Sequence, residues 1–325
     1  MRSKHHLMNR LAGAAAFFLI ASGLVQPGDR PLAAEETGGR IEATIEVLQA
    51  FSYPEDPLLI RLTILNSGDG EYAGSAGLDL VDGLRVTRAE GAPLKIKKKS
   101  GSAQSRPASL AGGSFFGFIQ DIKPLFPDMR EPGIYAISWE GGGVSSNRID
   151  VRTIPQFDPD ARYVAVFETD FGTIEFDLMS DTASKHVQNF HDLIQQGFYD
   201  NTLLHQVIKG VEIHGGDPTG TGAGNPIYLI APEPNRDYRH QRGTLSSVRV
   251  PRENKDDGSR FVLTLDLSPH YDGILSVLGQ MKSGEEVLKA IENLPTSGQF
   301  EQPVFRPLKP IYLRKATIIK ATKTD

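Results

Sequence analysis

Along residues 41–47 every second position is apolar. Ile41, Ala43, Ile45 and Val47 alternate with Glu42, Thr44 and Glu46. A side-chain period of two is that of an extended strand with one face buried. LLIRLTIL (58–65) predicts a second strand, and LDLVDGLRVT (78–87) and FFGFIQDI (115–122) predict shorter ones. GIYAISWE, GGGVSSN and RIDVRTI (133–154) read as strand, turn and strand, a hairpin. No helical period of useful length occurs before residue 160. Short strands at this spacing predict an immunoglobulin-like β-sandwich over 41–154. Trp139, the only tryptophan, is expected in its core.

PQFDPDAR (155–162) carries two prolines and breaks the pattern, so it is assigned as an interdomain linker. A second domain follows over 163–321. YVAVFETDFGTIEFDL alternates around DFGT, the turn of a hairpin. SDTASKHVQNFHDLIQQGFY puts Val187, Phe190, Leu193 and Ile194 on one helical face. Asp181 or Thr182 is the expected N-cap and Gly197 the C-cap. SGEEVLKAIENL pairs Ser283 with Glu286 as a capping box, ahead of Val287, Leu288 and Ile291. PIYLRKATIIKA closes the chain as a strand. Strands with one early and one late helix predict a mainly β domain, a closed antiparallel barrel capped by two helices.

The N-terminus changes the picture of where the chain works. Arg2, Lys4 and Arg10 precede LAGAAAFFLIASGLV (11–25), which has no charge. This is the pattern of a secretory signal, so 1–34 is assigned as signal and leader, with export to the periplasm or cell envelope. Cleavage is expected after Gly23 or after Ala34, and an uncleaved anchor is the alternative. Beyond it no apolar run of spanning length occurs, so no other membrane contact is expected. Net charge is −5, which argues against nucleic acid as a partner. The one dense basic run, KIKKK (95–99), reads as a solvated loop. The chain has no cysteine, which excludes disulfides and thiolate chemistry.

The candidate chemistry lies in LLHQVIKGVEIHGGDPTGTGAG (203–224). As a phosphate loop it lacks the terminal Lys-Ser/Thr. Gly220, Gly222 and Gly224 alternate, unlike a dinucleotide fingerprint. His205 and His214 have no metal-ligand spacing, so neither metal nor cofactor is expected. The stretch resembles the signature of cyclophilin-type peptidyl-prolyl isomerases, Y-D/N-G-T, F-H-R-V-I and G-F-M-I-Q-G-G-D-P-T-G-T-G. The likeness runs over roughly 162–320. HQRGTLSSVRV resembles H-x-x-G-x-L-S-M-A, DGSRFVLTL resembles G-S-Q-F-F-I, and YDGILSVLGQM resembles L-D-G-x-x-x-x-F-G-x-V.

The resemblance implies an eight-stranded barrel with two helices and a groove for proline-containing polypeptides. Rotation about an X-Pro bond meets a barrier of about 18–20 kcal/mol from amide resonance. An isomerase must clasp the ring and favour the twisted amide. The family does so with an arginine that falls on Gln206, beside a histidine that matches as His205. Its pocket phenylalanine, methionine and glutamine fall on Val211, Glu212 and His214. The Ala-Asn pair falls on Val248 and Arg249. The second glutamine falls on Arg260 and the next pocket phenylalanine on Val262. The aromatic before D-G falls on His270, and later groove positions on Leu275 and Leu278. Arginine and glutamine are thus exchanged between 206 and 260. Either Arg260 enters the groove as a replacement donor, with Arg249 as a second candidate, or it is a rim residue paired with Glu212 or Asp257. The expected function is an exported isomerase of weakened activity that assists folding. The alternatives are a non-catalytic proline-peptide module and an envelope scaffold.

Overall fold

A computed structural model describes residues 34–36, 38–49, 51–73, 81–89, 91–97, 109–222, 228–300 and 303–321. The signal-like run at 11–25, Lys98 and Lys99 of the basic run, and Gly224 lie outside these. The chain divides into two compact units, Met1–Gln156 and Phe157–Asp325.

In the first unit the alternating segments form strands β1 (Ala34–Glu36), β2 (Gly39–Val47), β3 (Phe51–Ser52), β4 (Leu59–Asn66), β5 (Leu84–Arg88), β6 (Phe115–Asp121), β7 (Gly133–Gly141), β8 (Val144–Ser145) and β9 (Ile149–Thr153). They make two sheets, one ordered β1-β2-β4-β6 and the other β3-β9-β7-β5, with β8 pairing to β7. β3 runs parallel to β9, while the other strand pairs of these sheets are antiparallel. Ile41, Ile45, Ile60, Leu62 and Ile64 of the first sheet share one core with Val86, Ile137, Trp139 and Val151 of the second. The period-two pattern of β2 and β4 places these residues inward, and Trp139 is wholly buried as expected. Tyr135, near the start of β7, directs its hydroxyl back between the carbonyls of Asp128 and Glu131, 2.9 and 2.7 Å away, which share its one hydrogen.

The second unit comprises β10 (Arg162–Thr169), β11 (Gly172–Leu178), α1 (Ser184–Gln195), β12 (Thr202–Leu203), β13 (Gln206–Ile208), β14 (Glu212–Gly215), β15 (Leu229–Ile230), β16 (Thr244–Val250), β17 (Lys255–Thr264), β18 (Val277–Ser283), α2 (Glu285–Glu292) and β19 (Tyr312–Ala321). The ladder runs β12-β19-β10-β11-β18-β16-β17-β14-β13, with β15 on β17. It is antiparallel throughout and mainly β, with two α-helices among the described residues. Its end strands β12 and β13 are consecutive in the chain. Leu204 N–H donates to Ile311 on the β19 side, and His205 N–H donates to His214 on the β14 side. One extended segment therefore serves both ends of a curled sheet. No ladder joins β12 to β13 among the described residues, so the pairing shows a curled sheet and does not itself close the expected antiparallel barrel.

Alternation sends Phe167, Phe176 and Phe261 to the inner face, where Phe190 of α1 and Tyr199 meet them in a chain of tilted and edge-on rings. The apolar stripe of α1 is buried as its spacing dictates. Its end is a Schellman turn: Phe198 N–H donates to Leu193 and Gly197 N–H to Ile194. Its start differs from expectation. The N-cap is Ala183, with no side-chain cap of its own. Thr182 turns its hydroxyl back to the Met179 carbonyl instead. Glu233, 47 residues on, accepts from His186 N–H at 3.0 Å and from Lys185 N–H at 3.4 Å. A carboxylate at this end also meets the helix dipole favourably. Glu233→Ala is expected to cost about 1 kcal/mol, read as a lower melting temperature with the fold retained.

Candidate groove on the outer face of the second sheet

Strand register assembles the site. Gln206 pairs with His214, His214 with Val262, and Val262 with Ser246. These four residues form one transverse row across β13, β14, β17 and β16, on the face opposite Phe261. One step along the same face, Ile208 pairs with Glu212 and Glu212 with Thr264. The positions implied by the resemblance for the arginine, glutamine and second phenylalanine are therefore neighbours in space.

A residue that sequence reasoning passed over meets this face at Glu212. Tyr271 ends the short 3-10 turn Pro269–Tyr271. Its hydroxyl donates to Glu212 Oε2 at 2.5 Å. His214 Nε2 lies 2.9 Å from Glu212 Oε1, and since a carboxylate only accepts, that nitrogen carries the hydrogen. On its other side the Tyr271 ring is 5.8 Å from His240, which holds Ser246 Oγ at 3.1 Å through Nε2 and Asp272 at 3.0 Å through Nδ1. Tyr271 thus spans the face from the Ser246 end to Glu212. Val262 is 1% exposed. The signal was present in the sequence, because Tyr271 occupies the leucine of the L-D-G segment. Its partner is 59 residues away, which no local pattern reveals.

Burial raises the Glu212 carboxyl, but the bonds from His214 and Tyr271 outweigh it and hold the group below the usual carboxylate range. Burial and then the bond to Glu212 push the Tyr271 phenol up. His205 is buried and its ring is lowered to about 4, by burial first and then by His214, so it is neutral at pH 7.

The remaining expected residues divide. Gln206 donates through Nε2 to the Val304 carbonyl at 3.3 Å. Arg260 places Nε on Asp257 at 2.7 Å and one terminal nitrogen on the Gly222 carbonyl at 3.2 Å. It ties the glycine loop to β17. Arg249 donates to Asp256 at 2.6 Å and to the Ile274 carbonyl. Val211 stands at the rim, 39% exposed, with His270 also exposed and its ring 4.1 Å from that of Tyr271. Val248 is half-buried, and Leu275 and Leu278 are buried. The GGDPTGTG loop is scaffold. Asp217 accepts from the backbone of Thr219 and Gly222 at 2.8 and 2.7 Å, and a Cβ at Gly216 would lie 2.3 Å from the Ser259 carbonyl.

Beside the row is a second cluster that sequence reasoning missed. Asp256 is fully buried and accepts from Ser247, Ser276 and Arg249 at 2.6–2.8 Å, with His186 Nε2 at 3.1 Å. His186 in turn meets Glu233 through Nδ1 at 2.7 Å. The serines donate to a carboxylate and not to a histidine, so they are not activated nucleophiles. Among the described residues no group of three or more His, Cys, Asp or Glu side chains is arranged to hold a metal ion.

Comparison with known proteins bears on this face. Residues 164–318 match the family described as cyclophilin type peptidyl-prolyl cis-trans isomerase. A peptidyl-prolyl cis-trans isomerase of Synechococcus elongatus is 40% identical over 130 residues, covering 40% of this chain and 87% of its own. A peptidyl-prolyl cis-trans isomerase-like 2 protein of Cryptococcus neoformans is 38% identical over 167 residues, 48% of this chain, but the match spans only 27% of that longer relative. A crystal structure of a Cryptosporidium parvum cyclophilin type isomerase is 30% identical, covers 50% of this chain and 99% of its own, and gives a TM-score of 0.45. Sequence identity of this extent, over most of a whole relative and across the segments that build the row, places the chain in the family of cyclophilin-type peptidyl-prolyl cis-trans isomerases.

Proposed function

We propose that the second unit is a peptidyl-prolyl isomerase of reduced rate, acting on proline-containing polypeptides at the outer face of β13, β14 and β17. The observation that carries this reading is the Gln206–His214–Val262 row, which keeps the groove positions adjacent while changing their chemistry. A neutral amide at 206 can donate to a twisting prolyl amide, but without the charge assistance of a guanidinium. The aromatic contact comes from Tyr271 and not from positions 211 and 262. Because Val262 is buried and Tyr271 is bonded to Glu212 on the same face, a proline ring must displace side chains there to reach it.

Arg260 is not a replacement donor in this reading. Its Nε and one terminal nitrogen are engaged with Asp257 and Gly222, which holds the guanidinium against the glycine loop and away from the place of position 206. Arg260→Ala is expected to leave turnover of a proline peptide essentially unchanged while lowering the melting temperature. A large loss of turnover with the fold intact would restore Arg260 to the mechanism. The same assay tests the function itself when joined to an NMR titration. Turnover with shifts at Val211 and Tyr271 supports isomerisation, and shifts without turnover support a binding module.

The N-terminal unit is read as an immunoglobulin-like sandwich. Support comes from the two sheets with one core, the parallel β3–β9 edge, and Tyr135, whose bonds to upstream carbonyls have the form of a tyrosine corner. The curled sheet of the second unit is read as the family's barrel, closed by chain continuity through residues 204 and 205. Export to the periplasm or envelope, with a role in folding there, rests on the charged and apolar pattern of residues 1–25. Cleavage after Gly23 fits better than after Ala34, which is already the first residue of β1.

A further inference from the structure

The groove carries a buried charge that its position would not lead one to expect. Glu212 is 8% exposed and stands where the resemblance places a methionine. Its ion-pair partner among the described residues is His214 alone. The two arginines brought to the groove are paired elsewhere, Arg260 with Asp257 and Arg249 with Asp256. The bonds from Tyr271 and His214 are those of neutral donors when the imidazole is uncharged, so they orient the carboxylate without cancelling it. A carboxylate held almost wholly out of water attracts a cation more strongly than one in open water, because the local dielectric is lower.

We propose that Glu212 makes this groove select proline peptides that carry a lysine or arginine next to the proline. The inference rests on the isomerase reading of the same face. A cationic neighbour gains the attraction of Glu212, an acidic one meets repulsion, and a neutral one falls between. Like charges at such a site act as a filter against the wrong partner as much as an attraction for the right one.

The test uses the full chain and three peptides that differ only in the residue before proline: lysine, alanine or glutamate. Binding is measured by NMR titration and turnover by exchange spectroscopy, at about pH 8, where an ordinary histidine is neutral. The lysine peptide is expected to bind roughly tenfold more tightly than the glutamate peptide at low salt. Glu212→Gln keeps an acceptor for Tyr271 and is expected to level the series. Equal affinities across the series, with turnover present, would overturn the selectivity and leave the isomerase reading standing. A lysine preference that persists in Glu212→Gln would overturn the assignment to Glu212. Neither binding nor turnover with any peptide would overturn both readings. Should Glu212→Gln fail to fold, the wild-type series at high salt decides, since a preference that does not shrink is not electrostatic.

Discussion

Gln206→Arg is expected to raise kcat/KM on a proline peptide by about a hundredfold, the scale on which one preorganised donor acts. Position 206 lies in the row with His214 and Val262, so a guanidinium there projects along the groove and not into the core. The present amide is engaged with the Val304 carbonyl at 3.3 Å, a long bond that an arginine can replace with one of its five donors. Charge matters as well as reach. The twisted amide places lone-pair density on nitrogen, and a charged donor is roughly twice as effective as a neutral one. Gln206→Lys separates the two effects. An ammonium brings charge without the planar fork and is expected to recover much less. No gain from arginine, with the fold intact, would mean that the burial of Val262 and not the missing donor limits the rate.

Asp256→Ala is expected to be the most damaging single change to stability in the second unit, about 3–5 kcal/mol. It strips the ion-pair partner from Arg249 and leaves the hydroxyls of Ser247 and Ser276 buried without an acceptor. The melting temperature should fall by roughly 10 °C for a unit of this size. Calorimetry is the proper readout, because Trp139, the only tryptophan, reports on the other unit. The same residue sets an acid limit. Burial alone would raise its pKa, but bonds from His186, Ser276, Arg249 and Ser247 lower it to about 2, against 3.8 for an unperturbed group. A depressed carboxylate stabilises the fold above its unfolded pKa and loses that contribution as pH falls through the folded one. About 2 kcal/mol should therefore disappear between pH 4 and pH 2, and Asp256→Asn should flatten that part of the profile. An unchanged melting temperature in Asp256→Ala would contradict the network.

Much of this architecture was legible because it is periodic. The strands at 41–47, 58–65 and 163–178, the buried stripe of α1 and the turn at Gly197 follow from spacing alone. The caps were not legible in the same way. The box expected from Ser283 to Glu286 is absent, since Ser283 is the last residue of β18 and the N-cap is Gly284 at φ +103. A Cβ there would sit 2.7 Å from the Thr173 carbonyl, so close approach to β11 decides the residue and not capping. For α1, a local Asp or Thr was expected and Glu233 from a distant loop does the work. The site shows the same division. Positions 205, 206, 211, 212, 214 and 262 could be placed by resemblance. The Tyr271–Glu212 bond and the Asp256 cluster join residues far apart in the chain, and only the folded sheet reveals them.

The measurement closest to the central claim is NMR exchange spectroscopy of the wild-type chain with a short proline peptide. Cis–trans exchange is expected to be accelerated above the uncatalysed rate, and accelerated much further by Gln206→Arg. Binding of the peptide at the Tyr271 face with no acceleration in either protein would contradict it.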